Sequence, residues 1–422
     1  MYITAIDLGT STLKGVVVDL KKSGALFATR VLERESAGIK RGEISHPEET
    51  VKPLFSMLKE IKHFDKQCLK NLTFSISGTK SKFYLSRGTI VIQRPDHEIL
   101  DEDIERVVQE AQAVAIPPGW RVLHAIPREF VVDDIEVDQD SVRGLSGRKL
   151  EANVVLVSLF GSIYNNFLKV LHLVLGKKIE TEGNGFFAPI ASERAVLSGK
   201  QRELGVMMLD IGAQTTGVVI WHDGKLLFIK VLPVGSDHIT NDIAVGLKCS
   251  VETAEKIKRE FGAASAKGVS AKEKVDLSQF HDGDQRTVSR KFIAEIIEVR
   301  VRELFELALV QLHDLGLDGS LPAGVVLTGG GAKMPGMCDL AREELHLSAQ
   351  IGVPDLSRFE ALGKQLAEQL ADPEMAVAVG MALYRVDMAG PKKYGAGNSL
   401  QSSYNLNESR VKRFFKTLMM WD

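Results

Sequence analysis

The sequence predicts an α/β fold of two lobes made by duplication, with an α+β subdomain inserted in the first lobe and an amphipathic C-terminal helix. Three observations carry this. Ile3–Val18, ITAIDLGTSTLKGVVV, is echoed at Met207–Ile220, MMLDIGAQTTGVVI. In each, an apolar run leads into Asp-aliphatic-Gly, a short turn and a second β-branched run, the pattern of strand, tight turn and strand. Asp7 matches Asp210, Gly9 matches Gly212, and Gly15 matches Gly217 after a one-residue shift. Two such hairpins imply that both face one ligand. The second observation is the changed character of Tyr84–Leu159, where short apolar runs are separated by Pro117-Pro118-Gly119, Pro127 and the Gly144–Gly147 loop. The third is a polar stretch after Val386 that ends in an aromatic, basic tail.

In chain order, the first hairpin turns at Lys21–Gly24 into a strand at Ala25–Leu32. Val51, Leu54, Phe55, Leu58 and Ile61 then mark Pro47–Lys62 as a helix. Leu72–Ile76 is a strand, and residues 1–85 form the first part of lobe one. In the insert, bounded at 86–158, strands are expected at Thr89–Ile92, Val122–Ile126, Glu129–Val132 and Val154–Leu159. A helix is expected at Asp101–Ala113, capped by Asp101. Residues 159–203 complete the first lobe with helices at Ser162–Leu175 and Ala188–Leu197.

The second lobe takes residues 204–242, a small subdomain at 243–314 and a return to its core at 315–375. Its expected elements are a strand at Lys225–Leu232, helices at Asp237–Gly246, Val251–Phe261 and Phe292–Leu312, and a strand at Val325–Leu327. Ala263–Asp284 is polar and weakly patterned, a loop or a small strand region. A closing helix at 376–386 returns to the first lobe. Residues 387–407 hold almost no large aliphatics and read as a linker. Residues 408–422 are the tail.

Composition narrows the function. A chain of 422 residues is too long for one average domain, and 44% apolar with 26% charged residues is ordinary for a globular protein. A net charge of −2 argues against bulk nucleic-acid binding. Cys68, Cys249 and Cys338 are unclustered and read as reduced thiols without a metal. Asp7 and Lys14 interrupt the only early apolar stretch, so no signal peptide is expected, nor a membrane span.

The turn after Asp7 offers backbone N–H groups beside Gly9 and the hydroxyls of Thr10, Ser11 and Thr12, a nest for phosphate oxygens. Lys14 is placed to neutralise them. The second turn, Gly212, Ala213, Gln214, Thr215 and Thr216, is its counterpart. Asp7 and Asp210 then approach the same phosphates from two sides, and two carboxylates there need a divalent cation such as Mg²⁺. Leu327-Thr-Gly-Gly-Gly-Ala is a third glycine turn, whose Gly329, Gly330 and Gly331, with Lys333 beyond, suit a close approach to adenosine. Glu255 and Lys258 share a helix face and are candidates for ribose and base. An exposed ion pair is the bland alternative.

These motifs, with Thr253-Ala-Glu-Lys-Ile-Lys258 between them, resemble the actin-like ATPase superfamily in this order. Within it the chain resembles the FtsA family of bacterial division proteins nearly end to end. Ser75-Ile-Ser-Gly78, His124-Ala-Ile-Pro-Arg-Glu-Phe-Val-Val-Asp133, Gly144–Ala152 and Ala294-Glu-Ile-Ile-Glu-Val-Arg300 carry that likeness. The resemblance implies a two-lobed, ribonuclease H-like duplicated ATPase fold, with Tyr84–Leu159 as the family's own subdomain. It implies ATP and Mg²⁺ as ligands, filaments formed with itself, and partnership with FtsZ and later division proteins. The acidic FtsZ C-terminal tail would meet the 243–314 subdomain, where Arg290 and Arg300 are candidate contacts. The implied place is the cytoplasmic side of the cytoplasmic membrane at the division site.

Two departures matter. The second turn reads Gly-Ala-Gln-Thr where many relatives have a glycine run, so Gln214 supplies a side-chain contact or narrows the pocket. Catalytic relatives place Glu or Gln before the Pro of the crossing helix to orient water; here that place is Ala188, before Pro189. ATP binding with slow or negligible hydrolysis follows, with no catalytic residue assigned.

The tail can be read without a family. In a helix from about Ser409, Val411, Phe414, Phe415, Leu418 and Met419 form one stripe. Arg410, Lys412, Arg413 and Lys416 flank it, and Trp421 lies near the end. That is the pattern of an interfacial helix on an anionic membrane. Rival readings are a pilus-assembly platform resembling PilM and a phosphotransferase of the same fold, since one scaffold hosts all three roles.

Overall fold

A computed structural model describes residues 1–113, 116–137, 141–176, 184–280 and 286–389. The linker beyond residue 389 and the tail at 408–422 lie outside the described residues.

Lobe one begins with β1 (Tyr2–Leu8), β2 (Thr12–Leu20) and β3 (Leu26–Glu35), a meander in which the apolar runs of β1 and β2 are buried on both sides and β3 is partly exposed. A small hairpin, β4 (Ile39–Lys40) and β5 (Glu43–Ile44), leads to α1 (Pro47–Phe64) and β6 (Leu72–Ile76). Pro47 opens α1 with Glu48 and Glu49 in the first turn, and Lys62 and His63 close it, as the helix dipole favours. The insert follows as β7 (Ser81–Val91), α2 (Asp101–Gln112), β8 (Trp120–Val132), β9 (Ile135–Val137) and β10 (Lys149–Phe160). Lobe one resumes with α3 (Gly161–Leu175), β11 (Gly185–Phe187), α4 (Ala188–Val196) and α5 (Gly199–Leu204).

Lobe two has β12 (Val206–Ile211), β13 (Thr216–His222), β14 (Lys225–Leu232), α6 (Ser236–Leu247) and α7 (Val251–Phe261). After β15 (Lys274–Asp276), β16 (Thr287–Ser289) and α8 (Arg290–Asp314), it continues through β17 (Val325–Thr328), α9 (Met337–Leu345), β18 (Ala349–Ile351) and α10 (Lys364–Leu370). The last described helix is α11 (Ala376–Ala389).

The duplication holds at the level of topology. The first sheet runs β3-β2-β1-β6-β11 and the second β14-β13-β12-β17-β18. In both, a three-stranded antiparallel meander is extended by two parallel strands. Alternate residues of β12 enter different cores: Val206 and Met208 pack toward α4 and α11, while Met207, Leu209 and Ile211 pack under α6, α8 and α9. The ladders also correct the alignment of the two hairpins. Asp7 pairs with Lys14 and Asp210 with Gly217, so Lys14, not Gly15, is the counterpart of Gly217.

Between the lobes, α4 and α11 cross so closely that a Cβ at Gly380 would lie 1.7 Å from the Ala191 carbonyl oxygen. The insert is a separate sheet, β7-β10-β8-β9, with α2 on its own core of Ile104, Val107, Leu150 and Val154. It is tied to lobe one by His124, whose Nε2 accepts the Phe187 N–H at 2.9 Å. Burial pushes that ring down to about 3, so it stays a neutral acceptor. The insert also reaches lobe two: Lys225 pairs with Glu129 at 2.7 Å and with Glu136, and Phe83 packs on Phe228.

Several expectations are corrected. Thr89–Ile92 is the end of the 11-residue β7. Val122–Ile126 and Glu129–Val132 are one strand, because a bulge that skips Arg128 in the ladder accommodates Pro127. Asp101 is the first residue of α2 rather than its cap; Asp103 Oδ2 accepts the Leu100 N–H at 3.0 Å instead. Of the two readings of 263–284, a loop or a small strand region, the strand holds in part: β15 lies there and pairs with β16. The closing helix runs to Ala389, past the expected linker boundary at 386.

Candidate functional site

The two hairpin turns open into one cleft of about 840 Å³ between the lobes. Asp7 at the end of β1 and Asp210 at the end of β12 both line it. Asp7 is buried; its Oδ1 accepts the Ser75 hydroxyl at 2.7 Å, and Lys14 stands opposite on β2. Burial raises its pKa, opposed by Lys14 and by the Ser75 hydrogen bond. Burial pushes Asp210 up to about 6; Ser192 and Lys14 act against this, and the charge of Asp7 adds to it. Each carboxylate therefore feels the same space. Among the described residues no group of three or more His, Cys, Asp or Glu side chains could hold a metal ion. Two facing carboxylates suit a cation that takes its remaining ligands from water and phosphate oxygens, which is the habit of Mg²⁺.

The structure brings Gly9, Thr10, Ser11, Thr12, Lys14, Gly212, Ala213, Thr215, Glu255, Lys258, Gly329, Gly330, Gly331 and Lys333 to this cleft together with Asp7 and Asp210. The glycines are sterically required at two places. A Cβ on Gly9 would lie 2.5 Å from the Thr12 carbonyl oxygen, and one on Gly329, at φ +80°, 2.5 Å from Asp210 Oδ1. Glu255 and Lys258 are an ion pair at 2.5 Å, built onto the first turn of α6 rather than exposed in isolation. Lys258 Nζ donates to Thr240 Oγ1 at 2.8 Å, and Thr240 donates to Glu255 Oε2 at 2.6 Å. Burial works to raise the Glu255 pKa, but bonds from Lys258, Thr240 and Arg259 hold it below the usual carboxylate range.

Other expected residues sit elsewhere. Thr216 is fully buried and donates to the Val234 carbonyl at 2.8 Å, a strand contact outside the cleft lining. Gln214 is also outside the lining, its side chain reaching across to Arg41. Arg290 and Arg300 lie on α8, paired with Glu273 and with Asp242 and Glu303. Val411, Lys412, Arg413, Phe414, Phe415, Lys416, Leu418, Met419 and Trp421 lie outside the described residues. No described helix is long and apolar enough to cross a membrane.

Sequence reasoning missed Glu374, which stands between the lobes: Lys14 Nζ is 3.4 Å away and Lys333 Nζ 3.2 Å. Lys333 also meets Asp372 at 2.6 Å. Asp372-Pro373-Glu374 before an apolar helix is a recognisable helix-start signal, which could have drawn attention to it. Ala188 lines the cleft with Pro189.

A model described as cell division protein FtsA matches residues 207–380, and one for the SHS2 domain inserted in FTSA matches 78–158. The second match coincides with the insert. The chain is 32% identical to the cell division protein FtsA of Pseudomonas aeruginosa over 412 residues, covering 97% of this chain and 94% of that one. It is 29% identical to the FtsA of Borreliella burgdorferi, covering 98% of each, and 30% identical to that of Bacillus subtilis, covering 84% and 79%. Among solved structures, a PilM–PilN type IV pilus biogenesis complex is similar with a TM-score of 0.57 at 20% identity, covering 91% of this chain and 98% of that one. MreB5 of Spiroplasma citri bound to ADP is similar at 0.52 and 12%, covering 91% and 95%. These structures share the actin-like fold.

Proposed function

The chain belongs to the FtsA family of cell-division proteins, and from that premise we propose that it tethers FtsZ filaments to the cytoplasmic face of the cytoplasmic membrane. In this reading it binds ATP with Mg²⁺ in the interlobe cleft and assembles into filaments with copies of itself. The observation that carries the nucleotide part is the convergence of Asp7, Asp210, Lys14 and three glycine turns on one cleft. Lys14 and the turn amides hold phosphate oxygens, the two carboxylates hold the hydrated cation, and Glu255 and Lys258 face the ribose and base. The cation, when bound, screens the phosphate charges from the two aspartates.

Ala188 supplies no group to orient water, so ATP acts mainly as a ligand for conformation and assembly. The tail at 408–422 supplies the membrane contact through its aromatic stripe and basic flank. The FtsZ tail docks on the 243–314 subdomain. Arg290 and Arg300 contribute by exchanging their internal carboxylate partners for acidic residues of the peptide.

Sedimentation with anionic liposomes tests this. The full chain, with ATP and FtsZ, is expected to pellet and to carry FtsZ with it. A chain ending at Asn407 should leave both in the supernatant. Equal pelleting of the two chains would remove the tail as the anchor.

A further inference from the structure

Gln214 occupies the turn where an all-glycine loop would leave only backbone. Its side chain crosses the mouth of the cleft. Oε1 accepts the backbone N–H of Arg41 at 2.9 Å, and Nε2 donates to Asp237 Oδ2 at 3.1 Å. A backbone N–H needs an acceptor and a carboxylate a donor, so these two partners fix the orientation of the amide. Arg41 belongs to lobe one, at the tip of the β4–β5 hairpin, and adopts φ +51° beside Gly42 at φ +72°. On its other side the tip is bound to the first phosphate turn, since the Gly42 N–H donates to Thr10 Oγ1 at 3.1 Å. The lobe-two end is equally constrained. The Asp237 N–H donates to the Ala213 carbonyl at 2.7 Å, and a Cβ at Gly235 would lie 2.6 Å from the Gly212 carbonyl oxygen. Three hydrogen bonds, joined through the Arg41–Gly42 peptide, therefore link Thr10, Gly42, Arg41, Gln214 and Asp237 from one lobe to the other.

We propose that Gln214 is a positioning residue that latches the two lobes together over the phosphate end of the cleft and thereby slows nucleotide release. This rests on the nucleotide reading above. A ligand under the latch leaves only when the lobes part, and parting them breaks the bond from the Arg41 N–H to Gln214, while the bond to Asp237, within lobe two, holds the amide in place for it. The amide touches no part of the ligand space, so its effect falls on opening and closing.

The test uses the full chain, hydrogen–deuterium exchange across residues 39–44, and stopped-flow release of a fluorescent ATP analogue with Mg²⁺. Gln214→Ala is expected to speed exchange at the hairpin tip and to release the analogue about tenfold faster, the effect of losing one or two hydrogen bonds. Gln214→Glu sets a carboxylate against Asp237 and should also release faster. Gln214→Glu combined with Asp237→Asn keeps the Arg41 N–H as donor to residue 214, restores the second bond with Asn as its donor, and should return exchange and release to the original rates. Unchanged hairpin exchange in Gln214→Ala overturns the latch, and so does faster release without faster exchange. Failure of the double variant to recover also counts against it. If the unaltered chain retains no analogue, the nucleotide reading and the release claim both fail, while the exchange data alone decide whether the lobes are latched.

Discussion

The two hairpins that open on the cleft have the same strand pairing and different cross-strand partners for their aspartates. In the first, Asp7 faces Lys14 across the ladder and takes a hydrogen bond from Ser75. In the second, Asp210 faces Gly217, where a Cβ would come within 3.1 Å of Pro189 on α4. The crossing helix therefore crowds the second hairpin at the place where the first has its lysine. One half places a lysine at the cleft beside its aspartate; the other places an aspartate of raised pKa and leaves room for α4. A duplicated fold that binds one asymmetric ligand has no use for two identical halves, and the packing of α4 enforces the difference.

The largest expected effect comes from the glycines that open the turns. Gly9→Ala would force a Cβ to 2.5 Å from the Thr12 carbonyl, whereas Gly212→Ala meets Thr215 at 3.1 Å. Thermal unfolding should show Gly9→Ala destabilised by about 1–3 kcal/mol, from the clash of its Cβ with the Thr12 carbonyl, and Gly212→Ala much less. Equal losses would mean that the turns are alike after all.

Next is Lys14→Ala, which should weaken ATP affinity by roughly tenfold to a hundredfold, the range for a hydrogen bond to a charged group. Adding Gly217→Lys should not recover it, because Pro189 crowds that site. Calorimetric titration of the single and double variants decides this.

Asp210 gives a smaller effect with a defined sign. Its folded pKa of about 6 lies above its ordinary 3.8, so the folded state holds the proton more tightly than the unfolded one. The resulting cost to stability is absent below about pH 4, grows between 4 and 6, and is complete above 6. Without nucleotide or divalent cation, Asp210→Asn should therefore raise stability by about 1–2 kcal/mol at pH 7.5, after allowance for its opening on the cleft, and change nothing at pH 4. Melting temperatures at the two pH values give the readout. With ligand present the same variant should bind Mg²⁺ and ATP worse.

The smallest effect is expected from Ala188→Glu, which should raise a very low ATPase rate by restoring a group that orients water. A phosphate-release assay that finds no rise removes Ala188 as the explanation for slowness.

Much of the site is legible in the sequence. Asp7, Asp210, the glycine turn at 329–331 and the pair Glu255 and Lys258 all reach the cleft as the motifs implied. Thr216 did not, because strand alternation turns its hydroxyl to Val234. The region from 333 to 375 was nearly silent: α9, β18 and α10 have nine, three and seven residues, too short to impose a clear period.

The sequence by itself determined the duplicated hairpins, the separate insert and the residue types at the phosphate turns, because β-branched runs, Asp-x-Gly turns and helical spacing are local patterns. Only the tertiary structure decided which groups oppose one another. Arg41 and Gln214 are 173 residues apart, Lys14 meets Glu374, and Gly380 lies against Ala191. No periodicity encodes such meetings; they follow from how α4 and α11 set one lobe against the other.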